Sequence, residues 1–187
     1  LFAFAPQISV ADSTEKLLFY VKQKLFKLKE DITIFADEKQ SLPIYSIKAD
    51  RIIDFSAAYH FTDLNNSANL GSVKRRGMRS IWRAHYDIFA ENNETPVMTI
   101  REKNPWIKVL DGFFGEIPII GMFTGFVFNP EYIVSRPDGT VVMRLEKIPT
   151  FLSRVFTIKQ IDQLNDTEEL RVLLSLVMML LLERLRG

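Results

Sequence analysis

The sequence predicts a mainly β protein, a closed antiparallel β-barrel of hairpins around a buried hydrophobic C-terminal α-helix. Through residues 16–103, short runs rich in Val, Ile, Tyr and Phe recur at spacings of about ten residues, with turn residues between them. The last segment, "RVLLSLVMMLLLERLRG", is the most apolar in the chain. Apolar residues fill 47% of the 187 positions, enough for one sizeable core, so we expect residues 1–187 to form a single domain.

Seven runs in the first part of the chain predict strands. In "DITIFAD", Ile32 and Ile34 alternate with Thr33 and Phe35, which is the period of two typical of a strand. Polar stretches such as "DEKQS" and "AENNET" separate the runs and predict hairpin turns. The seven predicted strands lie within residues 16–26, 31–37, 42–50, 57–64, 69–76, 80–90 and 95–103.

An apolar insert at about residues 105–128 interrupts this rhythm. Its sequence "WIKVLDGFFGEIPIIGMFTGFVF" contains four Gly, with Pro118 among them, and these residues argue against one continuous helix. Strands resume within residues 131–148, where "RPDGT" predicts a tight turn, and within residues 152–161.

The C-terminal helix is predicted at about residues 167–186. Asp166 or Thr167 can cap its start, and Glu168 and Glu169 suit the positive end of the helix dipole. The uncharged stretch "VLLSLVMMLLL" would extend only about 16–17 Å as a helix, whereas a bilayer crossing needs about 20 apolar residues. Because Ser175 is its only polar residue, we expect a helix buried on all sides.

Composition and motif content argue against several functions. The chain has 24 basic and 23 acidic residues, so we expect no nucleic-acid partner. It has no Cys and only two His, His60 and His85, on separate predicted strands, so we expect no metal site. The stretch "DLNNSANLGSVK" carries Ala68 and Lys74 where a calcium loop needs Gly and Glu. No phosphate-binding Gly-rich loop or nucleophile motif occurs, so we expect neither a cofactor nor catalytic residues.

The strongest functional candidate is the basic segment "VKRRGMRSIWR", residues 73–83. Guanidinium groups bind phosphate, and Trp favours a membrane interface, so the sequence predicts a site for an anionic head group here. The alternative is a solvated hairpin turn whose arginines pair with carboxylates elsewhere in the chain. The residues predicted to bind the head group are Lys74, Arg75, Arg76, Arg79, Arg83 and Trp82.

The apolar insert is the second candidate. Its large side chains could enter a membrane surface, contact a protein partner or a second copy of the chain, or cover one end of the barrel. The residues predicted to make a membrane or partner contact are Trp106, Phe113, Phe114, Met122 and Phe123.

A family resemblance rests on order and pattern along nearly the whole chain. The opening hairpins "YVKQKLFKLKEDITIFADEKQSLPIYSIK" are followed by "LGSVKRRGMRSIWRAHYDIFAENNETPVMTIREK", then by "EYIVSRPDGTVVMRLEK" and the closing helix. This arrangement resembles the tubby-like C-terminal fold, and more closely the phospholipid scramblase and LURP-one-related group, including its bacterial members. The resemblance implies a closed antiparallel barrel around a C-terminal helix. The chain departs from scramblases in lacking a Cys-rich palmitoylation segment and in carrying the apolar insert.

The same resemblance implies the function to expect. Activities in the wider group include lipid or phosphoinositide binding and membrane-tethered regulation, and most members are not established enzymes. We therefore expect a non-catalytic binding module that recognises an anionic lipid or phosphoinositide-like ligand at a membrane surface. It would be cytoplasmic and peripheral to the membrane. The alternative is a structural or protein-interaction domain that uses the apolar insert, and an enzyme is the weakest hypothesis.

Overall fold

A computed structural model describes residues 7–22, 32–51, 57–76, 84–103, 131–148 and 155–184. Within these ranges the chain forms eleven strands and one C-terminal helix, which confirms the mainly β prediction. The elements are β1 Gln7–Ala11, β2 Leu17–Lys22, β3 Ile32–Phe35, β4 Pro43–Ala49, β5 Ala58–Asp63, β6 Asn69–Arg75, β7 His85–Phe89, β8 Met98–Glu102, β9 Glu131–Ser135, β10 Val141–Ile148, β11 Val155–Gln160 and α1 Asp166–Arg184.

The strands form one antiparallel sheet in which sequence order is also spatial order, from β1 at one edge to β11 at the other. All connections from an odd-numbered to an even-numbered strand therefore lie at one end of the sheet, which we call rim A. All connections from an even-numbered to an odd-numbered strand lie at the opposite end, rim B. The stretch compared above with a calcium loop is the β5–β6 hairpin at rim A.

Alternate side chains of each strand point into one core. Val73 on β6 lies opposite Ile88 on β7, and Ile100 on β8 lies opposite Val134 on β9. All four are fully buried, as the period of two in the sequence predicts. The inward rows of the strands and the apolar side chains of α1 form one continuous cluster.

Helix α1 begins at a reciprocal cap formed by Asn165 and Glu168. The backbone N–H of Glu168 donates to Asn165 Oδ1 at 2.9 Å, and the backbone N–H of Asn165 donates to Glu168 Oε2 at 3.2 Å. The prediction that Asp166 or Thr167 caps the helix was therefore wrong. Asn165 is the residue whose carbonyl accepts the first helical hydrogen bond, from Glu169, and so its side chain is the one placed to cap.

The helix is buried on every face. Each residue from 171 to 179 is buried, and this run covers more than two helical turns. The one hydroxyl in the run is satisfied, since Ser175 Oγ donates to the carbonyl of Arg171 at 2.7 Å. A flat sheet covers only one face of a helix, so the sheet curves around α1. No helix within the described ranges combines the length and apolarity that crossing a bilayer requires.

Among the described residues, the sheet is not closed into the predicted barrel. Within the described residues, each strand pairs only with its sequence neighbours, and β1 does not pair with β11. Strand β1 itself was not predicted, although Ile8 and Val10 alternate with Gln7 and Ser9 in the same period of two. Closure of the sheet into a barrel therefore stays a proposal.

Gly71 on β6 makes room for a side chain that leaves the helix. Its φ of +104° is in the region that favours glycine, and a Cβ at this position would overlap the carbonyl oxygen of Phe89 and lie 2.8 Å from Arg171 Nε. Arg171 uses this space to donate from Nε to the carbonyl oxygen of Leu70 at 2.7 Å. The glycine thus allows the first turns of α1 to be fastened to the sheet near rim A.

Substitution of Gly71 by alanine should destabilise the fold more than the same change at Gly139. Both have a positive φ, +104° and +92°, but no atom lies within 4 Å of a Cβ at Gly139. Gly139→Ala should therefore lose about 1 kcal/mol of unfolding free energy from backbone strain alone. Gly71→Ala should lose about 1–3 kcal/mol more, because its neighbours must also move. Urea denaturation measures both, and equal losses would contradict the close packing at Gly71.

Candidate functional site

The strands that flank the basic segment and the apolar insert are neighbours in the sheet. The chain leaves β6 at Arg75 and enters β7 at His85, and it leaves β8 at Glu102 and enters β9 at Glu131. Because β7 and β8 pair with each other, these two connections lie on neighbouring strands at the same end of the sheet. The described strand ends that flank the basic segment and the apolar insert, which are separate in the sequence, are therefore adjacent in the sheet.

The structure describes three of the predicted site residues. Lys74, Arg75 and Arg76 lie at the end of β6, and successive residues of a strand point to opposite faces of a sheet. The three side chains consequently do not share one surface. The remaining predicted residues lie outside the described residues, namely Arg79, Trp82 and Arg83 in the basic segment and Trp106, Phe113, Phe114, Met122 and Phe123 in the apolar insert.

Arg75 points inward and contacts the end of the helix. Its guanidinium carbon lies 5.9 Å from the ring centre of Tyr86, the residue opposite it on β7. Its Nη2 is 3.9 Å from Glu183 Oε1, and the Tyr86 hydroxyl donates to the same oxygen at 2.7 Å. We call Arg75, Tyr86 and Glu183 the inner cluster. It fastens the last turn of α1 to β6 and β7 just beneath rim B, and a head-group contact by Arg75 stays a prediction.

The phenol groups at this end of the core stay protonated. Burial, together with the charge of Glu183 and the hydrogen bond to it, raises the pKa of Tyr86 far above its ordinary value of 10.0. Burial and the charges of Glu102 and Glu183 raise the pKa of Tyr132 in the same direction. Tyr86 is therefore a permanent hydrogen-bond donor to Glu183 at physiological pH, which favours a structural role for the inner cluster.

Lys74 and Arg76 are on the outer face, around Asp87. Arg76 Nε lies 2.9 Å from Asp87 Oδ2, while 55% of the Arg76 side chain remains exposed. Lys74 is directly opposite Asp87 in the β6–β7 pairing. Burial and the positive charges of Arg101 and Arg76 lower the pKa of His85 below 6.5, so this histidine is neutral at physiological pH. Burial is the larger cause of this lowered pKa, and the neighbouring cations Arg101 and Arg76 add to it.

Basic residues recur around the whole of rim B. Each of the five even-numbered strands has Lys or Arg among its last two residues. Acidic residues are interspersed, for example Glu131, which accepts a hydrogen bond from Lys103 Nζ at 2.9 Å, and Glu102, which is buried. The basic residues at the strand ends are Lys22, Lys48, Lys74, Arg75, Arg101 and Lys147.

Rim A has the opposite charge. Its turns contain ionised aspartates, whose carboxylates accept hydrogen bonds from residues later in the same turn. Hydrogen bonds from Thr14 lower the pKa of Asp12, and those from Thr140 lower the pKa of Asp138. Within the five turns of rim A, seven acidic residues stand against three basic ones, Lys16, Lys39 and Arg136; the acidic residues are Asp12, Glu15, Asp37, Glu38, Glu91, Glu94 and Asp138. The described turns of rim A therefore carry a net negative charge.

The sequence interpretation missed the partners of Arg75. Glu183 is the only carboxylate in α1 after Glu169, and a single carboxylate near the end of an apolar helix is the signal that could have suggested a buried ion pair. Within the described ranges, no group of three or more His, Asp or Glu is placed to hold a metal ion. The described cationic side chains at rim B pair with carboxylates of the same chain, Arg75 with Glu183 and Arg76 with Asp87.

Removal of the Glu183 carboxylate should destabilise the fold strongly. In Glu183→Leu, the buried guanidinium of Arg75 loses this carboxylate and the Tyr86 hydroxyl loses its acceptor. We expect a loss of about 3–5 kcal/mol of unfolding free energy, measured by urea denaturation. The double variant Arg75→Met with Glu183→Leu should recover part of this loss, because no uncompensated buried charge remains.

An exposed ion pair provides the control for this experiment. Lys159 Nζ lies 2.8 Å from Glu146 Oε2, with 54% and 35% of the two side chains exposed. Glu146→Ala should cost less than about 1 kcal/mol, as is usual for surface pairs. If Glu183→Leu costs no more than Glu146→Ala, the inner cluster does not hold the helix.

Comparison with known proteins gives one match. The family model described as LURP-one-related matches residues 17–160, well over half of the chain. The matched region begins at the first residue of β2 and ends at the last residue of β11. No curated protein and no solved structure matches the chain. The chain therefore belongs to the LURP-one-related family.

Proposed function

We propose that the chain is a non-catalytic binding module that recognises an anionic lipid head group, of the phosphoinositide kind, at a membrane surface through rim B. The observation that supports this proposal is that the strands flanking the basic segment and the apolar insert are neighbours in the sheet, with basic residues at their ends. Cationic side chains would attract the membrane, and aromatic side chains of the insert would enter its interface.

The head-group contacts would come from the outward side of the basic segment. Arg76 keeps 55% of its side chain exposed while it pairs with Asp87, so its remaining N–H groups are available to a phosphate. Lys74 lies beside it, and Arg79, Arg83 and Trp82 follow in the sequence. Arg75, beneath them, would add positive potential and hold the end of β6 in place.

The apolar insert would supply the second part of the attachment. Each basic residue close to an anionic surface contributes about 1 kcal/mol, and one weak signal alone gives only reversible, marginal binding. Insertion of Trp106, Phe113, Phe114, Met122 and Phe123 would add a hydrophobic contribution that salt does not screen. In this proposal the chain is a cytoplasmic protein that binds the membrane peripherally, since the cytoplasmic leaflet carries the anionic lipids.

The curved sheet would act as the scaffold. We propose that it closes around α1 as a barrel whose edges, β1 and β11, meet along one seam. A barrel fastened to a central helix at Arg171 and again at Glu183 would hold the strand ends of rim B in fixed positions. The binding residues would then be supported by rigid elements and not by the loops alone.

Vesicle co-sedimentation tests the function. The chain should bind vesicles containing phosphatidylserine or a phosphoinositide, bind pure phosphatidylcholine vesicles weakly, and lose most binding in high salt. Arg79→Ser with Arg83→Ser should reduce partitioning about 30-fold, since two charges near the surface contribute about 2 kcal/mol. Phe113→Ser with Phe114→Ser should remove the salt-resistant fraction.

A matched pair at rim A controls for net charge. Lys16→Ser with Lys39→Ser removes the same charge from the opposite end of the sheet and should leave binding nearly unchanged. Equal losses from the two pairs of substitutions, or equal binding to neutral and anionic vesicles, would reject rim B as the membrane-binding end.

A protein-interaction domain is the second candidate, and the composition of the apolar insert is what favours it. The insert would then contact a protein partner or a second copy of the chain. Light scattering separates the two candidates: a stable dimer that is lost in Phe113→Ser with Phe114→Ser, without any binding to anionic vesicles, supports this alternative.

A further inference from the structure

A cleft at rim A separates the start of helix α1 from the hairpin that joins β7 to β8. Its volume is about 650 Å³, and it is lined by the first turn of the helix, by Arg171 one turn later, and by Ala90 and Val97 of the hairpin. All the turns of rim A belong to the described ranges, and every break in the described chain lies at rim B. The cleft thus lies at the end of the sheet opposite the proposed membrane site.

Arg171 is the cation of this cleft. Side chains of a helix point toward its N-terminus, so Arg171 extends back toward the first turn. Only 8% of the residue is exposed. Its Nε donates to the carbonyl oxygen of Leu70, but within the described ranges its two terminal nitrogens donate no hydrogen bond and it forms no ion pair. A buried guanidinium with unused donors is a group that an anionic ligand would satisfy.

The first turn of α1 adds backbone donors. The first four N–H groups of a helix have no partner inside it. Asn165 satisfies two of them, since its side chain accepts from the N–H of Glu168 and its carbonyl accepts from that of Glu169. The N–H groups of Asp166 and Thr167 have no acceptor among the described residues, and both residues line the cleft.

The two sets of donors lie on one side of the helix. Thr167 and Arg171 are four residues apart, so they share a helix face, and both line the cleft. A guanidinium binds a carboxylate or phosphate through parallel N–H groups, and the start of a helix favours negative charge. One anionic group between the first turn and Arg171 would therefore accept hydrogen bonds from both.

Carboxylates surround this cationic centre without pairing with it. Burial lowers the pKa of Arg171, and the charges of Glu168 and Glu91 act in the opposite direction. Glu168 lies 3.7 Å from Arg136, whereas Glu91, which follows Ala90 in the hairpin, is exposed and accepts no hydrogen bond from the described part of the chain. These charges would repel a ligand that is only anionic and would favour one that also carries a cation.

We propose that this cleft binds a small zwitterion, in which a carboxylate or phosphate group is joined to a primary ammonium group. The anionic group accepts hydrogen bonds from the terminal nitrogens of Arg171 and from the N–H groups of Asp166 and Thr167. The ammonium group lies toward Glu91. Free amino acids and the phosphoethanolamine head group of a lipid share this chemistry. The site uses none of the residues proposed to bind a membrane at rim B.

Isothermal titration calorimetry with phosphoethanolamine, glycine, inorganic phosphate and ethanolamine tests this proposal. At least one of the two zwitterions should bind with a Kd of about 1 mM or below. It should bind about tenfold more tightly than inorganic phosphate or ethanolamine, each of which makes only half of the contacts. Absence of binding by both zwitterions, or equal affinity for a zwitterion and inorganic phosphate, would overturn the proposal.

The substitution Glu91→Gln separates the two halves of the ligand. It should weaken binding of the zwitterion about threefold, because the ammonium group loses its carboxylate, and it should strengthen binding of inorganic phosphate by a similar factor. Glu94→Gln, in the same turn, is the control and should change neither affinity, since Glu94 does not act on the charge of Arg171. A change of the same sign for both ligands in Glu91→Gln would contradict the position of the ammonium group.

A matched pair of substitutions tests the backbone donors. Asp166→Pro removes an N–H group that Asp166→Ala keeps, while both remove the carboxylate. Proline is tolerated at the first residue of a helix, so both variants should fold. The proline variant should bind the zwitterion about tenfold more weakly than the alanine variant, and equal affinities would reject the start of the helix as part of the site. Arg171→Met should abolish binding; if it does not fold, the proline and alanine pair decides.

Vesicles distinguish the two sources of the ligand. Binding to vesicles that contain phosphatidylethanolamine, reversed by free phosphoethanolamine, would support a lipid head group as the occupant. Calorimetric binding without any such vesicle binding would support a soluble zwitterion. Sedimentation with anionic vesicles is a separate measurement, so the proposed function at rim B and this inference at rim A can fail independently.

Discussion

The structure depends on one constraint, which is that helix α1 has no polar face. Nine consecutive buried residues leave no side of the helix that could face water, so every side must be covered by other parts of the chain. A single meandering sheet can provide this cover only by curving around the helix. The two polar attachments, Arg171 to the carbonyl of Leu70 and Glu183 to Tyr86, lie near opposite ends of the helix and set its position along the sheet. The apolar residues in the middle of α1 stabilise the core by their burial, and the two polar contacts fix the position of the helix along the sheet.

The distribution of charge on the surface follows from the arrangement of the sheet around the helix. A meander around a central helix has two ends, and the chain places its acidic turns at rim A and its basic strand ends at rim B. The near-zero net charge of the whole chain conceals this separation. Arg75 connects the basic rim with the core. It belongs to the basic segment in the sequence, but in the structure its side chain contacts Glu183 at the end of the helix. Recognition at rim B, if rim B binds a membrane, is therefore supported by the same helix that organises the core.

Much of the fold could be predicted from the sequence because its signals are local. Alternation in runs such as "DITIFAD" and the apolar length of the last segment depend only on neighbouring residues. Strand β1 shows the same alternation and was nonetheless missed, whereas the choice of Asn165 as the cap depends on where the first helical hydrogen bond forms. Side chains alternate between the two faces of a strand, so an inward-facing Val73 could have indicated that Arg75, two residues later, also points inward. Its pairing with Glu183 could not be predicted, because it depends on how the helix is rotated and shifted within the sheet.

The substitution Leu176→Asp, compared with Leu42→Asp, tests the central claim most directly. Leu176 is 1% exposed in the middle of α1, whereas Leu42 is 60% exposed in a rim A turn. A carboxylate at position 176 would be a buried charge with no partner, at a cost comparable with the whole stability of a domain of this size, about 5–15 kcal/mol. Circular dichroism during urea titration should show a cooperative transition for Leu42→Asp and none for Leu176→Asp. A Leu176→Asp protein that unfolds cooperatively with wild-type stability would contradict a helix buried on every side.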